Sequence, residues 1–108
     1  KISKRIDDDI SSVCASFNLE IINKKIKNVK IAYGGMAPIP KRATNCEKIL
    51  INSIFSEETF KKAEKKLEKD FAPIDDMRAS KGYRMEIAKN LLTKCFIEIK
   101  KQKLIRLN

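Results

Sequence analysis

The sequence predicts an α+β fold, in which a small antiparallel sheet of about three strands is followed by about three helices in a two-layer sandwich. In the first 42 residues apolar side chains alternate with polar ones, whereas beyond that point they recur at helical spacing. The chain has 108 residues, 43% of them hydrophobic, and only three glycines. This length and composition indicate a single domain, residues 1–108, with a modest core.

Two strands of the predicted sheet form a hairpin. The first runs over residues 10–21, a polar turn occupies 23–25, and the second strand runs over 26–33. One face of the hairpin is apolar, with Val13, Ala15, Phe17, Leu19 and Ile21 in the first strand and Val29, Ile31 and Tyr33 in the second, which Ile26 opens. Gly34-Gly35 is expected to end or bulge the second strand. Because Pro38 and Pro40 lack an N–H group, any third strand near residues 39–42 is short or lies at an edge.

Three helices are predicted after the strands. Residues 43–50 have one weak apolar face. The second helix begins after Ser56 as N-cap, with Glu57 and Glu58 in the first turn and a Phe55–Phe60 hydrophobic staple, and runs to about Asp70. The third follows Pro73 and spans residues 80–101. The expected buried side chains of the last two helices are Phe60, Ala63, Leu67, Phe71, Ala88, Leu91, Leu92, Cys95 and Ile99.

The residue types exclude several kinds of self-contained chemistry. The chain has no histidine, which is the commonest metal ligand and the commonest general base. Cys14, Cys46 and Cys95 are widely spaced and form no C-x-x-C pair, so neither a zinc site nor a disulfide framework is indicated. We expect three buried thiols, no catalytic residue and no metal ligand.

The net charge of +10 raises an alternative function, a non-enzymatic basic module that binds nucleic acid or an acidic protein. Only five of the 24 basic residues are arginine, aromatic residues make up 6%, and tryptophan is absent, which disfavours base recognition. A solvated lysine-rich surface is the preferred interpretation, and nucleic acid is not the expected partner. No apolar run reaches the length of a membrane span, so the sequence predicts a cytoplasmic protein without a membrane partner.

Five segments occur together in a specific order. Lys1, Arg5 and Asp7-Asp8-Asp9-Ile10 lead into the first predicted strand, and Tyr33-Gly34-Gly35-Met36-Ala37 begins at the last residue of the second. Asp76-Met77-Arg78-Ala79-Ser80 with Tyr83-Arg84 leads into the last helix. In this order the chain resembles the C-terminal domain of the FAD-binding subunit in the xanthine dehydrogenase and carbon monoxide dehydrogenase flavoprotein family. Residues 36–43, M-A-P-I-P-K-R-A, are most similar to bacterial xanthine dehydrogenase small subunits.

The resemblance implies a part of a multi-domain oxidoreductase, cut from a longer FAD-binding subunit. In that family a molybdopterin centre oxidises the substrate, 2Fe–2S clusters relay electrons, and FAD passes them to NAD or oxygen, with NAD as the expected acceptor here. The implied partners are the FAD-binding domain of the same subunit and the molybdenum-binding and iron–sulfur domains or subunits. FAD would be bound mainly by the preceding domain, so the isolated fragment is expected to be inactive.

The resemblance also implies three flavin-proximal residues, Lys1, Arg5 and Asp8. An ammonium group at Lys1 would stabilise negative charge on the flavin, and charges at Arg5 and Asp8 would tune its electron affinity. The alternative is that Lys1 is a frayed terminal residue and that Asp7, Asp8 and Asp9 are merely solvated. Ile6 departs from the family pattern, which often has a second arginine there. For Asp75, Asp76, Arg78 and Arg84 we expect an ion-pair cluster, with Ser80 capping the last helix.

Overall fold

The computed structural model describes the backbone of residues 2–7, 13–71 and 81–107, and the side chains of 3–6, 13–71 and 82–102. The elements follow the order β1 (Ile2–Asp7), β2 (Cys14–Ile22), β3 (Lys25–Gly34), β4 (Lys41–Arg42), α1 (Thr44–Leu50), α2 (Glu57–Asp70) and α3 (Lys81–Leu107). Strands come first and helices afterwards, which confirms the predicted α+β class. Within the described ranges, no helix is apolar enough over a sufficient length to cross a membrane.

The four strands form one antiparallel sheet in the order β1-β2-β3-β4. Asn23 and Lys24 form the β2–β3 turn with φ angles of 51° and 66°, the left-handed values that suit a tight two-residue hairpin. A register shift after Glu20 places a bulge near the turn. The predicted hairpin and the short strand before α1 are confirmed, and β4 lies at the sheet edge.

The sheet has one strand more than the sequence predicted. β1 pairs with β2 over its full length, from Ile2 opposite Leu19 to Asp7 opposite Cys14. Lys4 occupies a position on the helix-facing side of β1, two residues from the buried Ile6, and so interrupts the apolar alternation. A six-residue strand with a lysine at an inward position lacks the local pattern of a half-buried strand. Pairing with β2 along the full length of β1 holds the strand in the sheet despite this weak local pattern.

One face of the sheet packs against the helices to form the core. All the predicted inward side chains of the hairpin are buried except Ile21, which is half-buried. From the helices, the predicted residues from Phe60 to Ile99 are likewise buried. Tyr33 lies fully buried at the centre, in edge-on contact with Phe17 and Phe71, and donates a 2.7 Å hydrogen bond to the carbonyl of Ala88. The opposite, outer face of the sheet is not covered by any described element.

The helix boundaries follow the predictions closely for α2 and less closely for α3. Ser56 accepts a hydrogen bond from the Thr59 N–H group at 3.3 Å, and the Phe55 and Phe60 rings lie 5.6 Å apart, which confirms the cap and the staple. α3 continues to Leu107, six residues beyond its predicted end. With 27 residues it is about 40 Å long at 1.5 Å per residue. It accounts for the elongated shape, 46 × 25 × 21 Å.

Candidate functional site

Of the three residues that the resemblance implied, the structure describes the side chain of Arg5. It lies in β1, is exposed, and points away from the helices, because the neighbouring Ile6 points into the core. Lys1 and Asp8 lie outside the described residues. The cluster expected around Asp75, Asp76 and Arg78, with Ser80 as a cap, also lies outside them, and only its Arg84 is described.

Arg5 belongs to a row of side chains that crosses the outer face of the sheet. In register, Arg5 lies opposite Ser16, Ser16 opposite Ala32, and Ala32 opposite Arg42. The middle of this row carries small side chains, with an arginine at each end. A shallow, open depression of about 250 Å³ follows from this pattern, and it is lined by Arg5, Cys14, Ala15, Ser16, Ala32, Tyr33, Gly34 and Pro40.

The floor of the depression depends on Gly34, the last residue of β3. Gly34 lies opposite Cys14, and a Cβ atom at Gly34 would lie 2.9 Å from the Cys14 sulfur. A larger residue at either position would therefore fill the depression or displace the strand. The turn expected at Gly34-Gly35 begins at Gly35, whose φ of 86° ends the strand.

The loop of residues 35–40 forms the rim and is fastened to the core. Arg84, which is 5% exposed, donates a 2.8 Å hydrogen bond from Nη1 to the carbonyl of Gly35. Met36 is buried, whereas Ile39 is 71% exposed. The start of α3 thus anchors the loop between the two lining residues Gly34 and Pro40, through a contact across 49 residues that no local pattern predicts.

Arg42, at the far end of the row, is part of a second polar arrangement. Its guanidinium donates to both Glu47 carboxylate oxygens, at 3.1 and 2.6 Å, and the hydrogen bonds to Glu47 raise the pKa of Arg42. Glu47, which is 7% exposed, also accepts a 2.8 Å hydrogen bond from the Ile31 N–H group. A side chain of α1 therefore pairs with the edge of β3 just beyond the end of β4.

The two cysteines in the core, Cys46 and Cys95, are not reactive thiols. Cys46 and Cys95 are fully buried, and this burial raises the pKa of both thiols, that of Cys95 to about 12. Cys14 is only half-buried, so the expectation of three buried thiols is wrong for this residue, which lies on the outer face beside Gly34. Among the described residues, no group of three or more cysteine or acidic side chains is arranged to hold a metal ion.

The depression beside Arg5 is too small and too open to enclose a large cofactor. Pockets that enclose a cofactor are typically about 300–1,000 Å³ and deeply concave. This depression is smaller and open, with one guanidinium beside it. The described residues around this depression therefore do not enclose a molecule of the size of FAD.

Comparison with known proteins relates the chain to a family of flavoprotein domains. Residues 1–99 match the family described as the CO dehydrogenase flavoprotein C-terminal domain. The chain is 32% identical over 100 residues to a glyceraldehyde dehydrogenase medium chain from Sulfolobus acidocaldarius, covering 92% of this chain and 35% of the relative. It is 26% identical over 98 residues to a putative xanthine dehydrogenase FAD-binding subunit from Escherichia coli, covering 91% and 34%. This chain thus spans about a third of the length of these relatives.

Solved structures share the fold. A carbon monoxide dehydrogenase chain from Hydrogenophaga pseudoflava aligns with a TM-score of 0.79 at 16% identity, covering 85% of this chain and 34% of that chain. A quinoline 2-oxidoreductase chain from Pseudomonas putida aligns with a TM-score of 0.79 at 18% identity, covering 89% and 35%. At these identities the likeness concerns the fold alone.

Proposed function

The chain belongs to the CO dehydrogenase flavoprotein C-terminal domain family, and we propose that it forms the C-terminal domain of a longer FAD-binding subunit in a molybdenum hydroxylase. The family match over residues 1–99 carries this proposal. Related chains of dehydrogenases are about three times as long, which leaves room for the body that holds most of the cofactor. The depression beside Arg5 is too small for FAD, which also supports a second body that binds most of the cofactor.

In this proposal the outward face of β1, which carries Arg5, approaches the flavin. FAD would accept two electrons delivered from 2Fe–2S clusters and pass them to NAD. The task of this chain is electrostatic: Arg5, with Lys1, places positive charge where negative charge accumulates on reduction, and Asp8 opposes it. Ser16, Ala32 and Gly34 keep the surface beside Arg5 low, so that a flat ring edge can approach the strand backbone.

The signs of these charges give a test in the full-length subunit. Arg5→Ala and Lys1→Ala should lower the flavin reduction potential, and Asp8→Asn should raise it. One charge at about 4 Å in water contributes about 1 kcal/mol, and about 30 mV corresponds to about 1.4 kcal/mol for two electrons. Shifts on the order of 20 mV are therefore expected in spectroelectrochemical titrations.

Two controls make this titration specific. Arg5→Lys keeps the charge and should retain most of the wild-type potential, whereas Lys62→Ala, an exposed residue on α2, should change nothing. If all three site variants titrate like Lys62→Ala, then Lys1, Arg5 and Asp8 do not act on the flavin. Rates of NAD reduction measured in parallel would report whether NAD is the acceptor.

The lysine-rich helix α2 does not supply the basic surface that the alternative nucleic-acid module would need. The lysine-rich helix α2 carries five lysines and five acidic residues, so it adds no net charge. Its acids engage lysines, with Lys61 3.9 Å from Glu64 and Lys89 of α3 3.4 Å from Glu68. A labelled oligonucleotide should therefore show no saturable binding at physiological salt. Tight binding that weakens steeply with salt would favour the alternative.

A further inference from the structure

One of the basic regions of the chain lies at the β2–β3 hairpin. Between Ile21 and Cys46 there are six basic residues and no acidic one. Three of these, Lys24, Lys25 and Lys27, lie at the turn and are exposed. Glu20, an acidic residue on the neighbouring strand β2, lies opposite Asn28 and accepts a 3.2 Å hydrogen bond from its side-chain amide. The turn therefore presents a local excess of positive charge.

Two exposed isoleucines lie within this basic region. Ile22 is opposite Lys25 in the hairpin, and Lys25 in turn forms an antiparallel bridge with Ile54. Neighbours in such a row are about 5 Å apart, so the Lys25 stem lies between two aliphatic side chains on the same face. Ile22 is 47% exposed and Ile54 58% exposed. We call Ile22, Lys24, Lys25, Lys27 and Ile54 the hairpin patch.

The hairpin patch is held in place by backbone hydrogen bonds. The Ile26 N–H group donates to Ser53 at 2.8 Å, the Asn52 N–H group to Ile26 at 2.6 Å, and the Phe55 N–H group to Lys24 at 2.7 Å. The segment between α1 and α2 is thus attached to the start of β3 like an additional short strand. Because the backbone is fixed, both isoleucines remain exposed in a defined arrangement rather than in a loose loop.

We infer that the hairpin patch is the contact surface for another subunit of the same dehydrogenase, one that presents an apolar centre surrounded by carboxylates. This inference rests on the proposed function. Apolar side chains rimmed by polar ones mark protein contacts, and lysines contribute at the rim through complementary charge. A nucleic-acid partner is disfavoured because the patch has neither an aromatic ring for stacking nor an arginine fork. The depression beside Arg5 lies on other rows of the same sheet and remains available for the flavin side.

The test uses the FAD-loaded full-length subunit and the purified molybdenum-binding and iron–sulfur subunits, with affinities measured by biolayer interferometry. Ile54→Asp should weaken assembly at least tenfold, because it places a carboxylate at the centre of the contact. Lys25→Glu should weaken assembly at low salt, with a difference from wild type that shrinks as salt increases. Ile22→Asp reaches the same patch from β2 and replaces Ile54→Asp if that variant does not fold.

Matched controls are Ile97→Asp on α3, where Ile97 is 43% exposed, and Lys62→Glu on α2. Both variants should assemble like wild type.

Wild-type affinity for Ile54→Asp and Ile22→Asp would overturn the inference. Loss of FAD with assembly unchanged would also overturn it, because the patch would then pack within its own subunit. Binding to phosphatidylglycerol vesicles that the patch variants abolish, with assembly intact, would assign the patch to a membrane and also overturn it. A wild-type subunit that binds no FAD would instead refute the proposed function.

Discussion

At the scale of single residues, the three cysteines occupy different surroundings. Cys46 and Cys95 are fully buried in the core, whereas Cys14 is half-buried on the outer face of the sheet. Only the thiolate form reacts, and burial disfavours it. The alternation from Val13 to Ile21 places Cys14 on the face opposite the apolar side chains, whereas Cys95 lies on the predicted buried face of the last helix.

This difference predicts an unequal reaction with Ellman's reagent. Near neutral pH the folded chain should release the equivalent of a single thiol, from Cys14, and the other two only after unfolding in urea. A Cys14→Ser variant should lose the rapid phase. Rapid reaction of all three thiols in the folded chain would contradict the burial of Cys46 and Cys95.

The same two thiols predict a loss of stability at alkaline pH. Burial raises the pKa of Cys95 from 9.0 to about 12 and raises that of Cys46 as well. Above about pH 9 the unfolded chain releases protons that the folded chain retains, so the free energy of unfolding falls as pH rises, by up to about 1.4 kcal/mol per pH unit for each thiol. Urea unfolding between about pH 8 and 10.5 measures this slope. Cys95→Ala should reduce the slope, and an unchanged slope would exclude Cys95 as its source.

At the scale of elements, the short helix α1 depends on a side chain from another helix. Its N-cap residue, Ala43, has no side chain that accepts a hydrogen bond. Asp70, at the end of α2, instead accepts hydrogen bonds from the Asn45 and Cys46 N–H groups at 2.7 and 2.9 Å. The negative charge also suits the positive end of the α1 dipole. Asp70 therefore links the start of α1 to the end of α2.

Substitution of Asp70 tests this link. Asp70→Ala should destabilise the chain by about 1–3 kcal/mol, because two N–H groups lose their acceptor in a largely buried place. Asp70→Asn keeps one acceptor oxygen and should lower the free energy of unfolding by less than Asp70→Ala does. The midpoint of urea unfolding provides the comparison, with Asp9→Ala as an acidic control. A midpoint for Asp70→Ala equal to that of wild type would show that Asp70 does not cap α1.

Elements with strong local patterns could be predicted, and those that depend on distant partners could not. The hairpin and α2 follow from alternation, turn residues and caps that are contiguous in sequence. β1 was missed because its inward Lys4 interrupts the pattern and β2 supplies its pairing. The roles of Glu47 and Asp70 were also missed, since their acceptor groups act across 16 and 24 residues. Of the candidate site, sequence resemblance indicated Arg5, but only the register across three strands revealed the small residues beside it.

At the scale of the whole molecule, the fold covers one face of a sheet with helices and leaves the other exposed. The exposed face carries Arg5 beside a depression and, toward the turn, the hairpin patch. The net charge of +10 does not arise from α2, as its lysines alone suggest, but from the hairpin with β4 and from α3. In the proposed function, both regions are contact surfaces within a larger flavoprotein.

The FAD content of the native subunit that contains this chain tests the central claim most directly. The subunit, purified under conditions that keep the cofactor bound, should show the visible absorption of a flavin and release FAD in a one-to-one ratio on denaturation. A folded, full-length subunit without flavin, and unable to take up added FAD, would contradict the account.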